Sequence, residues 1–180
     1  GEPGRSPSWG PGPNKNVVRD LKPGPTPIRL AGNLTLGGSS SGEQRPGSIG
    51  DAVKALRSQG LTSSVTRLEV WQNATESMIS ELRGALKEHD LEIFEVGGYR
   101  NILHTDESAR QENLKYLARC LELADRIGCR MVGTVTGSRN PEGNKWADNY
   151  AVHPDNWTLD TWKLAVSGIK QILKDTAGIK

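Results

Sequence analysis

Residues 91–135 read LEIFEVGGYRNILHTDESARQENLKYLARCLELADRIGCRMVGTV. The apolar run 91–96 is typical of a buried strand, and a long amphipathic helix follows it. Its apolar residues recur at three- and four-residue steps: Leu114, Leu117, Ala118, Leu121 and Ala124. Ser108 and Gln111 form a capping-box pattern before this helix, Gly128 ends it, and Met131 to Val135 predicts the next strand. The stretch therefore predicts a strand–helix–strand unit with parallel strands.

The same alternation continues in both directions. Before this unit we expect a strand over 28–34, a helix from Ser48 to Gly60, a strand over Val65–Trp71, and a helix capped by Asn73 or Thr75. After it, Thr158 caps a last helix whose inward side is expected to carry Trp162, Ala165, Val166, Ile169, Ile172 and Leu173. Four strand–helix units predict an α/β fold with one parallel sheet.

Two architectures fit this pattern: a small doubly wound sheet, or part of a (β/α)₈ barrel. A doubly wound fold usually carries a glycine-rich phosphate turn after its first strand. Residues 37–42 are rich in Gly and Ser but lack both the G-x-G-x-x-G spacing and a Lys-Ser/Thr ending. We interpret this segment as a flexible loop.

Composition excludes several classes of protein. The chain has 180 residues and a formal net charge of +2, too weak a charge to recruit nucleic acid or anionic lipid. No run approaches the roughly 20 apolar residues of a membrane span, and no secretory leader pattern is seen, so we expect a cytoplasmic protein. With 2 Cys, a disulfide scaffold is excluded.

The N-terminal segment differs from the rest of the chain in composition. Residues 1–27 contain seven prolines and almost no apolar periodicity. Such a segment buries too little surface to offset its ordering entropy, so we predict a disordered leader. The functional domain is expected to span 28–180.

Several segments of this domain resemble the xylose isomerase-like barrel superfamily, which contains sugar phosphate isomerases/epimerases and has apurinic endonucleases as relatives. The likeness is carried by LEVW at 68–71, EVGGYRNIL at 95–103, the helix containing Arg110, Glu112, Asn113 and Tyr116, TGS at 136–138, and HPDN at 153–156. It covers roughly Leu61 to Ile179, and the order and spacing of the segments agree.

The resemblance implies a (β/α)₈ barrel with a divalent metal (Mn, Mg, Co or Zn) bound by Glu, Asp, His and Glu from strands five to eight. A full barrel needs about 250 residues, and this sequence ends at Lys180, where strand five is expected. We therefore expect a partial (β/α)₈ TIM barrel of about four units. Its catalytic residues are expected beyond Lys180, and this chain alone is expected neither to bind the metal tightly nor to turn over a sugar.

In such barrels the functional residues lie on the loops after the strands. The expected substrate-binding residues are accordingly Asn33, Trp71, Tyr99, Asn101, His104, Ser138, Trp146 and His153.

Some of these positions allow two interpretations. The loop 137–157 is either a lid over the site or a surface insertion. As a lid, it would stack Trp146 on a sugar and bind a phosphate through Arg139 or Lys145. A lone His104 is more often a helix-start residue than a ligand. Glu69 and Glu95, placed inside strands, are either site carboxylates or partners of Arg67 and Arg100.

The resemblance predicts a sugar isomerase/epimerase that, in the complete barrel, moves a proton between adjacent carbons of a sugar or polyol derivative. The expected partner is a small-molecule sugar or sugar phosphate. Three alternatives stay open: a non-catalytic half-barrel that self-associates as a homo-oligomer, an apurinic endonuclease-like enzyme, and a gene fragment. With 3 His and a charge of +2, the sequence supports the nucleic-acid enzyme poorly.

Overall fold

The computed structural model describes residues 31–34, 48–141 and 150–179. The predicted leader, the start of the first strand, the loop 37–42, Lys145 and Trp146 lie outside the described residues.

Within the described residues, the sheet has four parallel strands in the order β1-β2-β3-β4. The elements along the chain are β1 (Ala31–Asn33), α1 (Ile49–Ser58), β2 (Ser63–Arg67), α2 (Leu68–Trp71), α3 (Glu76–Glu88), β3 (Glu92–Gly97), α4 (Glu107–Ile127), β4 (Val132–Gly133) and α5 (Leu159–Asp175). A doubly wound sheet reverses its strand order at a switch point, whereas a barrel adds each strand beside the previous one. The observed order confirms the prediction of a partial barrel.

The helices pack in chain order, with α1 against α3, α3 against α4, and α4 against α5. Between helices and sheet lies a core that includes the fully buried Val53, Leu82, Val96 and Cys120. Gly98 permits this packing, since an ideal Cβ there would stand 2.6 Å from Leu117 Cδ2 of α4. None of the described helices combines the length and apolarity needed to cross a membrane.

The helix ends mostly follow the sequence signals. Ser48 caps α1 and Thr158 caps α5 as predicted, and Thr75 rather than Asn73 caps α3. Gly128 ends α4 in the left-handed conformation, with φ 77°. The predicted cap of α4 is wrong: Ser108 lies inside the helix, and Asp106 Oδ1 accepts the bond from the amide of Ala109 at 2.8 Å.

The second and fourth strands are shorter than predicted. β2 ends at Arg67, and Leu68–Trp71 forms a helical turn instead of continuing the strand. This turn returns Trp71 to the core, where it is 1% exposed and its Nε1 donates to Thr66 Oγ1 at 2.8 Å. β4 consists of Val132–Gly133 alone.

The inward side predicted for α5 is only partly correct. Ala165 and Ile172 are buried, but Trp162 is 67% and Leu173 61% exposed, and Ile169 is also exposed. The buried side of α5 is the one that packs against α4, where an ideal Cβ on Gly168 would lie 3.2 Å from Leu114 Cδ2, and apolar side chains on the other sides of the helix stay exposed.

Candidate functional site

The sheet has a face turned away from the helices, which we call the inner face. Strand pairing aligns Asn33 with Val65 and Val65 with Glu95. Two residues further along the strands, it aligns Arg67 with Gly97. Paired residues of parallel strands point to the same side, and successive residues alternate. Since Gly98 faces α4, Gly97 and Glu95 lie on the inner face together with their register partners.

Tyr99 folds back over this face. Its Oη donates a hydrogen bond to Glu95 Oε1. The ring occupies space left by two glycines: an ideal Cβ on Gly97 would lie 3.0 Å from Tyr99 Cε2, and one on Gly133 would lie 3.2 Å from Tyr99 Oη. Side chains at these two positions would displace the phenol, so the glycines make the pair possible.

The hydrogen bond to Glu95 raises the pKa of Tyr99, with burial and the charge of Glu95 adding to the effect. Ionisation would place a phenolate beside a carboxylate, which is unfavourable. Tyr99 therefore keeps its proton and donates it in a hydrogen bond to Glu95, and the remaining lone pairs of the phenol and carboxyl oxygens can accept hydrogen bonds from vicinal hydroxyls.

A second cluster, formed by Arg100, Glu69 and Tyr116, fixes the side chain of the residue that follows Tyr99. Arg100 Nη2 donates to Glu69 Oε1 at 2.9 Å and its guanidinium lies 4.1 Å from the ring centroid of Tyr116, whose Oη donates to the same carboxylate oxygen at 2.8 Å. Burial alone would raise the pKa of Glu69, but the bond from Tyr116 and the charges of Arg100 and Arg67 help to hold it below its ordinary value. Glu69 thus lies in α2 rather than a strand, and it pairs with one of the arginines expected for it.

Asn101 and Ser138 join the loops that follow β3 and β4. Asn101 Nδ2 donates to the Ser138 carbonyl at 2.8 Å, and its Oδ1 accepts from the amides of Ser138 and Leu103 at 3.1 and 2.9 Å. Ser138 Oγ donates to the Ala151 carbonyl at 2.6 Å and accepts from Asn156 Nδ2 at 3.2 Å. Both side chains are buried, so they hold the loops in place and have little capacity left for a ligand.

The two histidines among the expected site residues serve as turn acceptors. His104 Nδ1 accepts from the Asp106 amide at 3.0 Å, the helix-start role anticipated as its alternative. His153 Nδ1 accepts from the Asp155 amide at 3.3 Å and begins the short 3₁₀ helix Pro154–Trp157. Arg139 Nη1 donates to the Leu103 and His104 carbonyls, so this arginine is engaged within the protein.

Of the expected substrate-binding residues, the structure brings Asn33 and Tyr99 to the inner face. Trp71 lies in the core, on the helix side of the sheet, and Trp146 lies outside the described residues. The sequence interpretation missed Arg67 as an inner-face residue. The paired glycines Gly97 and Gly133 were the available signal, because they mark where a side chain crosses the sheet.

The described residues do not form a site for a divalent metal. Among them, no three His, Cys, Asp or Glu side chains come close enough together to hold an ion. Cys120 and Cys129 are free and buried, as predicted, and burial raises the pKa of the Cys120 thiol to about 12. A thiol in this environment is neither a metal ligand nor a nucleophile at neutral pH.

A parallel sheet in chain order, with helices packed on one face and polar side chains on the other, defines a (β/α)-barrel protein. The chain belongs to the xylose isomerase-like TIM barrel family, whose model matches residues 53–180. No curated protein sequence matches it.

Solved structures share this fold at low identity. A D-psicose 3-epimerase from Clostridium cellulolyticum H10 matches with TM-score 0.58 and 9% identity over 84% of this chain and 50% of that one. A 3-keto-D-glucoside 4-epimerase from E. coli matches with TM-score 0.55 and 17% identity over 83% and 54%. An L-ribulose 3-epimerase matches with TM-score 0.57 and 14% identity over 84% and 46%. The chain thus spans about half the length of these proteins.

Proposed function

We propose that this protein is a sugar isomerase/epimerase-type barrel in which the inner face of strands β1 to β4 forms part of the sugar-binding wall. In the complete barrel, a proton moves between adjacent carbons of a sugar or polyol derivative. The divalent metal of such a barrel would need ligands beyond the described residues. A cytoplasmic location is part of this proposal.

The observation that carries the proposal is the Glu95–Tyr99 pair on the inner face. The phenol O–H is donated to Glu95, so the pair offers adjacent acceptor oxygens to which vicinal hydroxyls can donate. Asn33 lies on the same register row as Glu95 and adds an exposed amide. These groups lie near the carboxyl ends of the strands, the end at which barrel enzymes bind their substrates.

Sugar binding is testable by ¹H–¹⁵N NMR titration of the chain with D-fructose, D-psicose and D-xylose. We expect shifts in the amides of 97–101, and weaker binding by about tenfold in Glu95→Gln and in Tyr99→Phe, the loss typical of one hydrogen bond to a charged group. Glu81→Gln on α3 carries the same charge change outside the site and should bind like the wild type. Absence of shifts at 97–101 with all three sugars would contradict the proposal.

Proton transfer is tested on the gene product that contains this chain, incubated with the same sugars and Mn²⁺ in D₂O. Deuterium entering the carbon next to the carbonyl, detected by NMR, is the expected result. Exchange lost in Glu95→Gln while Glu81→Gln retains it would place the inner face at the reaction site.

A second candidate, a self-associating half-barrel, is favoured by the exposed apolar side chains of α5. Trp162 and Leu173 are exposed, and among the described strands β4 pairs with β3 alone. Two copies of a four-stranded sheet in barrel order supply the eight strands of a ring. Sedimentation velocity should then show a dimer that Trp162→Glu dissociates, and a folded monomer at all concentrations would exclude it.

A further inference from the structure

Arg67 differs from Arg100, Arg110 and Arg126 in its place and its contacts. It is exposed at the end of β2, on the inner face, next to Gly97 in the register. Arg100, Arg110 and Arg126 each pair with a carboxylate, at 2.9, 2.7 and 2.8 Å. The Arg67 backbone pairs within the sheet, but no hydrogen bond or ion pair joins its guanidinium to another described side chain.

The carboxylates near Arg67 are already engaged by other donors. Glu95 accepts from Tyr99, and Glu69 accepts from Arg100 and Tyr116. The charge of Arg67 nevertheless acts on both groups of side chains, tending to lower the pKa of Tyr99 and of Glu69. The guanidinium is therefore close to the Glu95–Tyr99 pair without being neutralised by it.

The spacing along the strands gives the size of ligand that fits. Glu95 and Gly97, the register partner of Arg67, are two residues apart, which is about 6.6 Å along a strand. Arg67 lies nearer the carboxyl end, so a ligand whose hydroxyls reach Glu95 and Tyr99 would hold a terminal group beside Arg67. A guanidinium binds phosphate through two parallel N–H donors.

We propose that Arg67 is a specificity-determining residue that selects a sugar carrying a terminal phosphate over the neutral sugar. The proposal rests on the proposed function, since it requires the sugar to lie against Glu95 and Tyr99. Arg67 binds the phosphate at the mouth of the site, while the Glu95–Tyr99 pair binds the hydroxyls.

The test is NMR and calorimetric titration of the chain with D-fructose 6-phosphate, D-fructose and inorganic phosphate. Wild type should bind the ester about tenfold or more tightly than either of the other probes, as one charge-assisted pair provides. Arg67→Gln should reduce this preference to near unity while leaving D-fructose binding unchanged. Arg67→Lys should retain part of the preference, because it keeps the charge without the two-donor geometry.

Arg83→Gln is the matched control, since Arg83 is an exposed arginine on α3 away from the inner face. The proposal is overturned if the ester and D-fructose bind equally, if Arg67→Gln weakens both equally, or if Arg83→Gln has the same effect. Equal affinity for inorganic phosphate and the ester would also overturn it, by showing an anion site without sugar recognition. If D-fructose binds but its phosphate adds nothing, only the role of Arg67 fails; if neither sugar shifts the amides of 97–101, the proposed function fails.

Discussion

Gly137, in the loop after β4, is required both for its left-handed backbone conformation and for its close packing against Asn101. Its φ is +91°, and an ideal Cβ would lie 2.7 Å from Asn101 Cα. Asn101 has little room to retreat, because its side chain binds the amide of Leu103 and the carbonyl of Ser138 and its own carbonyl accepts from Asn113 Nδ2 at 2.8 Å. A methyl group at this position would separate the two loops that Asn101 joins.

We expect Gly137→Ala to lower the free energy of unfolding by about 2–4 kcal/mol, combining left-handed strain with a backbone clash. Gly84→Ala is the control, because Gly84 lies in α3 with no atom within 4 Å of its ideal Cβ. There we expect a gain of about 0.5–1 kcal/mol. Urea denaturation of both variants decides, and equal effects would contradict the role of Gly137.

The cap of α4 gives a second test at this scale. Asp106→Ala removes the acceptor for the Ala109 amide and should cost about 1 kcal/mol in thermal or urea unfolding. Ser108→Ala changes a residue inside the helix and should be nearly neutral or slightly stabilising. The reverse ranking would restore the capping box predicted from Ser108 and Gln111. The sequence signal was ambiguous because two candidate caps lie two residues apart.

Among the elements, α4 begins with a charged pair whose effect depends on pH. Glu107 accepts from Arg110 Nε and Nη2, both at 2.7 Å, and from Gln111 Nε2 at 2.8 Å. Arg110 is only 7% exposed, so its charge needs this partner. The hydrogen bonds from Arg110 and Gln111 lower the pKa of Glu107 to about 2.

A carboxylate whose pKa is lower in the folded state stabilises the fold above its unfolded pKa. The stabilisation should therefore be complete above about pH 5 and decline as pH falls toward 2. We expect Glu107→Gln to melt below the wild type at pH 6, with the two melting temperatures converging at pH 2. The gap should shrink with salt, since Glu107 is exposed. Glu81→Gln should show no such convergence, and a pH-independent gap for Glu107→Gln would contradict the argument.

The elements predicted correctly are those that depend on residues close together in the sequence. The long helices were predictable because apolar periodicity and the caps Ser48, Thr75 and Thr158 are local. The boundary between β2 and α2 was not predictable, since the apolar residues Val65, Leu68, Val70 and Trp71 suit a strand or a helical turn equally. The bond from Trp71 to Thr66 and the burial of the indole select the turn.

At the scale of the whole molecule, the described residues bring together no three side chains that suit a divalent cation. We therefore expect isothermal titration of the chain with Mn²⁺ to show no tight stoichiometric site, and Mn²⁺ to leave its melting temperature unchanged. Saturable binding at one ion per chain with a raised melting temperature would contradict this expectation. His104→Ala and His153→Ala would then show whether either histidine is a ligand.

The sequence by itself determined the alternation of strands and helices, most helix ends, and the resemblance to xylose isomerase-like barrels. These features depend on residues near one another in the chain, where periodicity and capping act. Only the tertiary structure decided that the strands lie in barrel order, that Glu95 meets Tyr99 across Gly97 and Gly133, and that Arg67 shares their face. Periodicity records that a face is buried but not which distant element buries it, because strand register and side-chain pairing form between residues far apart in sequence.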